Sequence, residues 1–140
     1  MHVKKILLVD DEMSFLETVT KRLSKRNLHI VQAINGQEAL EKLGVDSCIE
    51  VVILDIKMPG MDGFETLAEI KRKHPLTEVI ILTGHTTVES AIKGMRLGAF
   101  DYLMKPCDIE KLISKVTEAL ARRKSRKNGV NISSEKDTIG

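Results

Sequence analysis

The sequence has few aromatic residues, only two cysteines and almost no net charge. Aromatic residues make up 3% of the chain and tryptophan is absent, so side chains that could stack on a flavin ring are scarce. The formal net charge of +2 does not by itself indicate nucleic-acid binding. Cys48 and Cys107 form neither a C-x-x-C pair nor a metal-ligand pattern, and we expect two reduced thiols.

The sequence also lacks a long hydrophobic segment. No apolar run approaches the ~20 residues that a membrane-spanning helix needs, and the first residues do not have the pattern of a signal peptide. We therefore expect a cytoplasmic protein that does not enter a membrane. At 140 residues, 42% of them hydrophobic and 30% charged, the chain has the size and composition of one globular domain.

Five short apolar runs are present instead, and each predicts a strand. They cover residues 4–9, 29–33, 51–55, 79–82 and 100–104. Short continuous apolar runs bounded by turn residues are typical of strands buried on both faces of a parallel sheet. Between and after these runs, apolar residues recur at helical spacing, and turn or capping residues mark the helix ends: Asn27, Asn35-Gly36, Gly63, His74-Pro75, Gly98 and Asp108.

This alternation of strands and helices over short loops predicts a doubly wound α/β fold. Right-handed crossovers would place five helices on the two faces of a five-stranded parallel sheet. The carboxyl ends of all the strands would then meet at one edge, where α/β proteins bind their ligands.

Chemically useful side chains follow four of the five predicted strands. Asp10 and Asp11 follow the first strand, Asp55 ends the third, Thr83 follows the fourth and Lys105 follows the fifth. Each alone has an ordinary interpretation, such as a helix cap for Asp11 or a turn for Lys105-Pro106. Their occurrence together at the strand ends favours a site.

This set of groups favours metal-assisted phosphoryl chemistry. Clustered carboxylates repel one another and favour a bound cation, and Mg²⁺ prefers oxygen ligands. A carboxylate can act as a nucleophile and form an aspartyl-phosphate. A lysine and a threonine can donate hydrogen bonds to phosphoryl oxygens.

Four motifs carry a resemblance to a known family. They are Ile6-Leu7-Leu8-Val9-Asp10-Asp11-Glu12, Leu54-Asp55-Ile56-Lys57-Met58-Pro59-Gly60-Met61-Asp62-Gly63, Leu82-Thr83-Gly84-His85 and Tyr102-Leu103-Met104-Lys105-Pro106. With these motifs the chain resembles the receiver domains of two-component response regulators over about residues 3–123. The resemblance implies a flavodoxin-like sheet with strand order 2-1-3-4-5 and a cis bond between Lys105 and Pro106.

The resemblance also implies a phosphoacceptor function. Asp55 would take a phosphoryl group from the phosphohistidine of a sensor histidine kinase or a phosphotransfer protein. Asp11 and Asp55 would bind Mg²⁺ directly with the backbone carbonyl of Lys57, and Asp10 would help through water. Such a domain is not an enzyme for an external substrate, because it catalyses only its own phosphorylation and dephosphorylation.

A conformational switch is a further implication of the resemblance. Lys105 and Thr83 would contact the phosphoryl group, and Tyr102 would turn from outward to inward as Thr83 moves. The surface of the fourth helix, fifth strand and fifth helix would change, so that a downstream partner, an output domain or a second receiver could bind there. Lys57 and His85, each two residues after a site residue, would tune the lifetime of the phosphoryl group.

The ends of the domain are less closely defined by the sequence. Residues 84–89 and 98–102 resemble receivers that precede sigma-54-dependent ATPase modules, yet no such module follows. The chain is therefore a single-domain regulator or a receiver cut from something longer. We assign residues 1–124 to the receiver and 125–140 to a flexible basic and polar tail or linker stub. The basic run 122–127 could contact phosphates or an anionic membrane, or form a solvated helix end whose cations complement the helix dipole; we expect no direct nucleic-acid binding by the receiver.

Three other function classes compete with this interpretation. A flavodoxin-like electron carrier needs a phosphate-binding loop where this chain has Asp10-Asp11-Glu12. A phosphatase with an aspartyl-phosphate intermediate needs a second aspartate where this chain has Lys57. A receiver-fold docking module that never turns over phosphate is the remaining alternative, and the intact set of site residues favours the switch over it.

Overall fold

Five parallel strands form one sheet in the order β2-β1-β3-β4-β5, which is the order that the resemblance implies. The computed structural model describes residues 3–57 and 62–139, with side chains up to residue 129, so residues 58–61 of the second motif lie outside the described part. The strands are β1 (Lys4–Val9), β2 (Leu28–Ala33), β3 (Ile49–Leu54), β4 (Glu78–Thr83) and β5 (Asp101–Met104).

Five helices connect and follow the strands in the described ranges, as the sequence predicts. They are α1 (Met13–Ser24), α2 (Gly36–Val45), α3 (Gly63–Lys73), α4 (Val88–Arg96) and α5 (Ile109–Ile139). Asn35 caps α2 by accepting a hydrogen bond from the backbone of Glu38, as capping asparagines do. Asn27 and Gly98 have φ angles of 61° and 104°, in the left-handed region where helices often end.

The core has two layers because successive side chains of a strand point to opposite faces of the sheet. Leu7, Val52 and Ile81 point to the face that packs against α2 and α3. Leu8 and Ile53 point to the face that packs against α1 and α5. Both faces of the central strands are therefore buried, and the strand ends are held on a rigid frame.

Two strands include a glutamate that the apolar pattern leaves outside them. β3 includes Glu50 and β4 starts at Glu78, whose exposed fraction is only 1%. A charged residue is seldom buried unless it is paired, so an apolar criterion places the strand start after it. Both glutamates are paired here with cations of α3, α5 and β1.

The last helix runs through residues 125–139, the segment for which the sequence predicts a tail or linker stub. Arg122 and Arg126 form ion pairs with Glu78 at 3.3 and 3.1 Å, and Arg123 pairs with Glu50 at 3.2 Å. Three arginines of the basic run are thus ion-paired, whereas Lys124 and Lys127 are exposed. The domain boundary at residue 124 stays a prediction. Of the helices that the structure describes, none combines the length and the apolar character needed to cross a bilayer.

Candidate functional site

The parallel sheet places Asp10 and Asp55 side by side. Val9 and Leu54 are partners in the register of β1 and β3, so the residues after them are neighbours. The backbone N–H of Asp55 donates to the carbonyl oxygen of Val9 at 3.0 Å, which extends the ladder by one residue. Both carboxylates consequently start from the same level of the sheet.

The end of β5 brings a lysine to the two aspartates. Met104 pairs with Thr83 at the end of β4, and the backbone N–H of Lys105 donates to the Thr83 carbonyl at 2.8 Å. The peptide bond from Lys105 to Pro106 is cis, as the resemblance implies. Lys105 Nζ lies 2.6 Å from Asp10 Oδ2 and 3.4 Å from Asp55 Oδ2.

Three carboxylates form an acidic cluster in which Asp10 and Asp55 are buried and Asp11 is exposed. One oxygen of each lies within 4.8 Å of the others. Two oxygens bound to one Mg²⁺ at about 2.1 Å lie at most about 4.2 Å apart, so small side-chain shifts would let these residues share the ion. The donor set and its spacing therefore fit a hard divalent cation.

Backbone hydrogen bonds orient the two buried carboxylates. The N–H of Glu12 donates to Asp10 Oδ1 at 3.0 Å, and the N–H of Lys57 donates to Asp55 Oδ1 at 3.0 Å. The second oxygen of each carboxylate faces Lys105. These bonds leave Asp55 Oδ2 directed toward the ammonium group.

Burial and charge act in opposite directions on the site. Burial raises the pKa of Asp10 above its usual value, although the hydrogen bond from Lys105 lowers it in part. Burial also lowers the pKa of Lys105, but Asp10 and Asp55 outweigh that effect and leave it raised. The lysine therefore stays an ammonium group.

A pocket of about 290 Å³ opens beside Asp55, and its lining contains Lys57, Thr83, His85 and Lys105. Thr83 is buried, and its hydroxyl oxygen accepts a hydrogen bond from the N–H of His85 at 3.1 Å. The pocket thus brings together the predicted nucleophile, the two residues predicted to contact the phosphoryl group and both residues predicted to tune its lifetime. The metal-binding role of the Lys57 carbonyl stays a prediction.

Tyr102, the predicted switch residue, is half-buried behind this pocket. Its hydroxyl donates to the carbonyl oxygen of His85 at 2.9 Å and lies 3.1 Å from Ser90 Oγ. Ser90 also forms a capping box with Thr87 at the start of α4. The sequence signal for this capping box is the Thr-x-x-Ser spacing before an apolar stripe, but that spacing does not indicate the contact of Ser90 with Tyr102.

This geometry defines a class of protein: a doubly wound α/β domain with buried carboxylates and a lysine at its strand ends. The chain belongs to the response regulator receiver domain family, which matches residues 6–117. This finding confirms the resemblance drawn from the four motifs.

Individual relatives agree with this assignment. The DNA-binding transcriptional regulator NtrC of Escherichia coli K12 is 35% identical over 127 residues, which are 91% of this chain and 27% of that protein. The transcriptional regulatory protein ZraR of Klebsiella oxytoca is 40% identical over 116 residues, 83% of this chain and 26% of that protein. This chain therefore spans about a quarter of the length of these curated relatives.

A solved structure is also similar. A CheY-like receiver domain protein from Methanospirillum hungatei JF-1 superposes with a TM-score of 0.85 at 28% identity. The match covers 89% of this chain and 99% of that one. The described fold is thus that of a receiver domain.

Proposed function

We propose that this receiver is a Mg²⁺-dependent phosphoacceptor switch of a two-component phosphorelay, in which Asp55 accepts the phosphoryl group. The observation that supports it most directly is the placement of Asp55. This carboxylate is 7% exposed, opens into a pocket and lies 3.4 Å from the Lys105 ammonium. The donor is a sensor histidine kinase or a phosphotransfer protein that carries phosphohistidine.

In the proposed reaction, Asp55 Oδ2 attacks the phosphorus atom of the phosphohistidine. A P–O bond forms, the P–N bond breaks, and its electron pair returns to the imidazole ring. Lys105 is placed to hydrogen-bond the phosphoryl oxygens, because its ammonium group already lies beside Asp55 Oδ2. The Thr83 hydroxyl can also donate a hydrogen bond to a phosphoryl oxygen, because in its bond with the His85 N–H it acts only as the acceptor.

Asp10, Asp11, Asp55 and the Lys57 carbonyl are the residues that would hold Mg²⁺, Asp10 through water. When bound, the ion offsets the charge of the carboxylates and of the phosphoryl oxygens. Hydrogen bonds from Glu12 and Lys57 already orient Asp10 and Asp55 without it. The chain's own contribution is this fixed orientation and the lysine opposite.

The switch would run through Thr83 and Tyr102. If Thr83 turns its hydroxyl to the phosphoryl group, the bond from His85 is disturbed, and the carbonyl of His85 is the acceptor for Tyr102. Occupancy of the pocket would then shift the populations of two conformers of the α4-β5-α5 surface. Val88 on α4 and Met104 at the end of β5 are 76% and 59% exposed, which suits binding of a partner or a second copy there.

Lys57 and His85 would set the lifetime of the phosphoryl group, since both line the pocket beside Asp55. In that position their side chains would limit the approach of water to the phosphoryl group. Dephosphorylation half-lives of Lys57→Ala and His85→Ala, compared with the parent, test this role. Unchanged half-lives in both variants would remove it.

The output lies with another segment or partner. NtrC is named as a DNA-binding regulator, and this chain corresponds to about a quarter of it. We propose that the receiver acts in the cytoplasm on an output domain or a separate protein, and does not itself bind nucleic acid. It is not an enzyme for an external substrate.

The experiment is intact mass after incubation with acetyl phosphate and Mg²⁺. We expect a gain of about 80 Da, one phosphoryl group, that requires Mg²⁺ and is absent in Asp55→Asn. Asp101→Asn is the matched control, because Asp101 pairs with Lys115 outside the pocket, and it should label as the parent does. No gain in the parent under any condition would favour the alternative, a docking module that binds its partner without phosphorylation.

A further inference from the structure

Each of the three phenylalanines of the chain lies under a cation. Lys93 Nζ is 4.6 Å from the ring centroid of Phe64, and the Arg122 guanidinium is 5.6 Å from that of Phe100. The shortest of these distances is 4.1 Å, from Lys105 Nζ to the ring of Phe15. A cation within about 6 Å of a ring centroid is attracted by the negative face of the ring.

We propose that Phe15 is a positioning residue for Lys105, holding its ammonium group against Asp10 and Asp55. This inference rests on the proposed function, because it gives Phe15 a role in phosphoryl transfer through another residue. In the sequence, Phe15 is only one of the apolar residues that recur at helical spacing after the first strand.

The ring is itself held in place by the core. Phe15 is half-buried and packs against the core layer that α1 and α5 share. Its neighbour Leu16 is fully buried, which fixes the rotation of α1 about its axis. The Phe15 ring therefore presents a fixed face to Lys105, and both side chains line a cavity with Pro106.

Lys105 needs such a fixed surface because its side chain is long and flexible. Besides the two buried aspartates, Glu12 offers an oxygen 3.8 Å from Nζ on a side chain that is 63% exposed. An ammonium group that followed Glu12 would move toward solvent and away from Asp55. The ring opposes this movement.

An aromatic ring also suits a lysine whose ammonium group must change its hydrogen-bond acceptors during the reaction. Three N–H donors of the ammonium have to turn from carboxylate to phosphoryl oxygens during the reaction. The attraction to a ring face depends on the position of the charge and only weakly on the direction of each N–H bond. Phe15 can therefore hold Nζ in place without occupying a donor that the phosphoryl group needs.

The test compares Phe15→Leu with Phe15→Tyr. Leucine keeps an apolar side chain of similar size and favours a helix, whereas tyrosine keeps the ring. With acetyl phosphate and Mg²⁺, we expect the phosphorylation rate of Phe15→Leu to fall roughly three- to tenfold and that of Phe15→Tyr to stay within about twofold of the parent. Acetyl phosphate has no protein surface, so a loss cannot come from docking of a kinase.

Phe64→Leu is the matched control, since it removes the ring under Lys93, which lies outside the pocket. It should retain the parent rate while losing a comparable amount of core packing. Rates are compared well below the unfolding temperature of every variant. An equal loss in Phe15→Leu and Phe64→Leu, or no loss in Phe15→Leu, would overturn the proposal.

A second readout requires no phosphoryl chemistry. The ring should shift the NMR signals of the Lys105 ε-methylene protons upfield in the parent and in Phe15→Tyr, and this shift should vanish in Phe15→Leu. Its absence in the parent would refute the contact, even if the parent labels normally. If the shift is present but the parent does not label, the contact stands, the proposed phosphoacceptor function fails, and the positioning role fails with it.

Discussion

Buried carboxylates lie at both edges of the sheet: the amino edge, where the strands begin, and the carboxyl edge, where they end. The charges around them differ at the two edges. At the amino edge, Glu50 and Glu78 are surrounded by an excess of cations, which are Lys4, Lys71, Arg122, Arg123 and Arg126. At the carboxyl edge, Asp10, Asp11, Glu12 and Asp55 lie near one ammonium group, that of Lys105. One edge is neutralised by the protein itself, whereas among the described residues the carboxylates of the other edge outnumber the cations beside them.

This difference separates a structural edge from the edge that carries the proposed site. The amino-edge pairs join α5 to β3, β4 and α3 and require nothing from outside. The carboxyl edge carries repulsion that a metal ion and a phosphoryl group can relieve together, because they bring opposite charges to the same place. The same chemical group thus anchors the fold where cations surround it, and under the proposed function it would react where cations are few.

The largest effect is expected at the amino edge. Glu78→Gln leaves Lys71, Arg122 and Arg126 without their shared carboxylate, and breaking a buried ion pair costs about 3 to 5 kcal/mol when both partners are buried. Since the arginines reach solvent here, we expect the free energy of unfolding in urea to fall by about 2 kcal/mol. Glu69→Gln, which removes an exposed pair with Arg72, is the control and should change little. A change no larger than that of the control would mean that the amino edge is not an anchor.

The next effect concerns Mg²⁺ at the carboxyl edge. At ten times its dissociation constant, an ion that binds only the folded protein stabilises it by about 1.4 kcal/mol. We expect this increase in the parent and its loss in Asp11→Asn, which should also be more stable than the parent in EDTA because one repulsive charge is gone. Glu17→Gln on α1 should respond to Mg²⁺ as the parent does. Thermal unfolding with EDTA and with MgCl₂ measures both quantities; an ion effect that survives in Asp11→Asn would contradict the ligand assignment.

The smallest effect is a pH dependence of opposite sign at the two edges. A hydrogen bond from Lys5 lowers the pKa of Asp46 at the amino edge, so its stabilising contribution is present above the usual value of 3.8 and is lost as pH falls through the lower folded pKa. Burial raises the pKa of Asp10, so its ionisation costs stability as pH rises from 3.8 through the higher folded pKa.

Carboxyl NMR titration in metal-free buffer measures both pKa values directly. Urea unfolding gives the stability differences from Asp46→Asn and Asp10→Asn as functions of pH. Below pH 3.8, the free energy of unfolding of the parent should fall relative to that of Asp46→Asn. Above pH 3.8, the free energy of unfolding of the parent should fall relative to that of Asp10→Asn. If both stability differences changed with pH in the same direction, the predicted contrast between the two edges would be contradicted.

The fold and the site can both be predicted from the sequence, because each follows from one simple rule. Apolar runs located all five strands of the described sheet, and the meeting of parallel strand ends located Asp10, Asp55, Thr83 and Lys105. Ion pairs between segments far apart in the chain cannot be predicted in this way. The contact of Arg126 with Glu78 joins residues 48 positions apart, and nothing local to either residue signals it.

The contact of Phe15 with Lys105 was missed for a related reason. Helical spacing shows that Phe15 belongs to an apolar stripe, but the stripe packs against both the core and the site. Which side chain faces the lysine depends on the rotation of α1, and that is set by the packing of Leu16 and its neighbours. A periodic pattern contains no information on this angle.

Tyr102 gives the protein an optical property of its own. It is the only tyrosine in a chain without tryptophan, so intrinsic ultraviolet emission arises from one ring. Its hydroxyl is bonded to the His85 carbonyl and lies beside Ser90, between the pocket and the start of α4. A phenol held in this way and a phenol in water differ in emission and in quenching. The molecule therefore carries a native fluorophore at the junction through which a bound phosphoryl group would be sensed, and rapid-mixing spectroscopy can follow that junction without an attached dye.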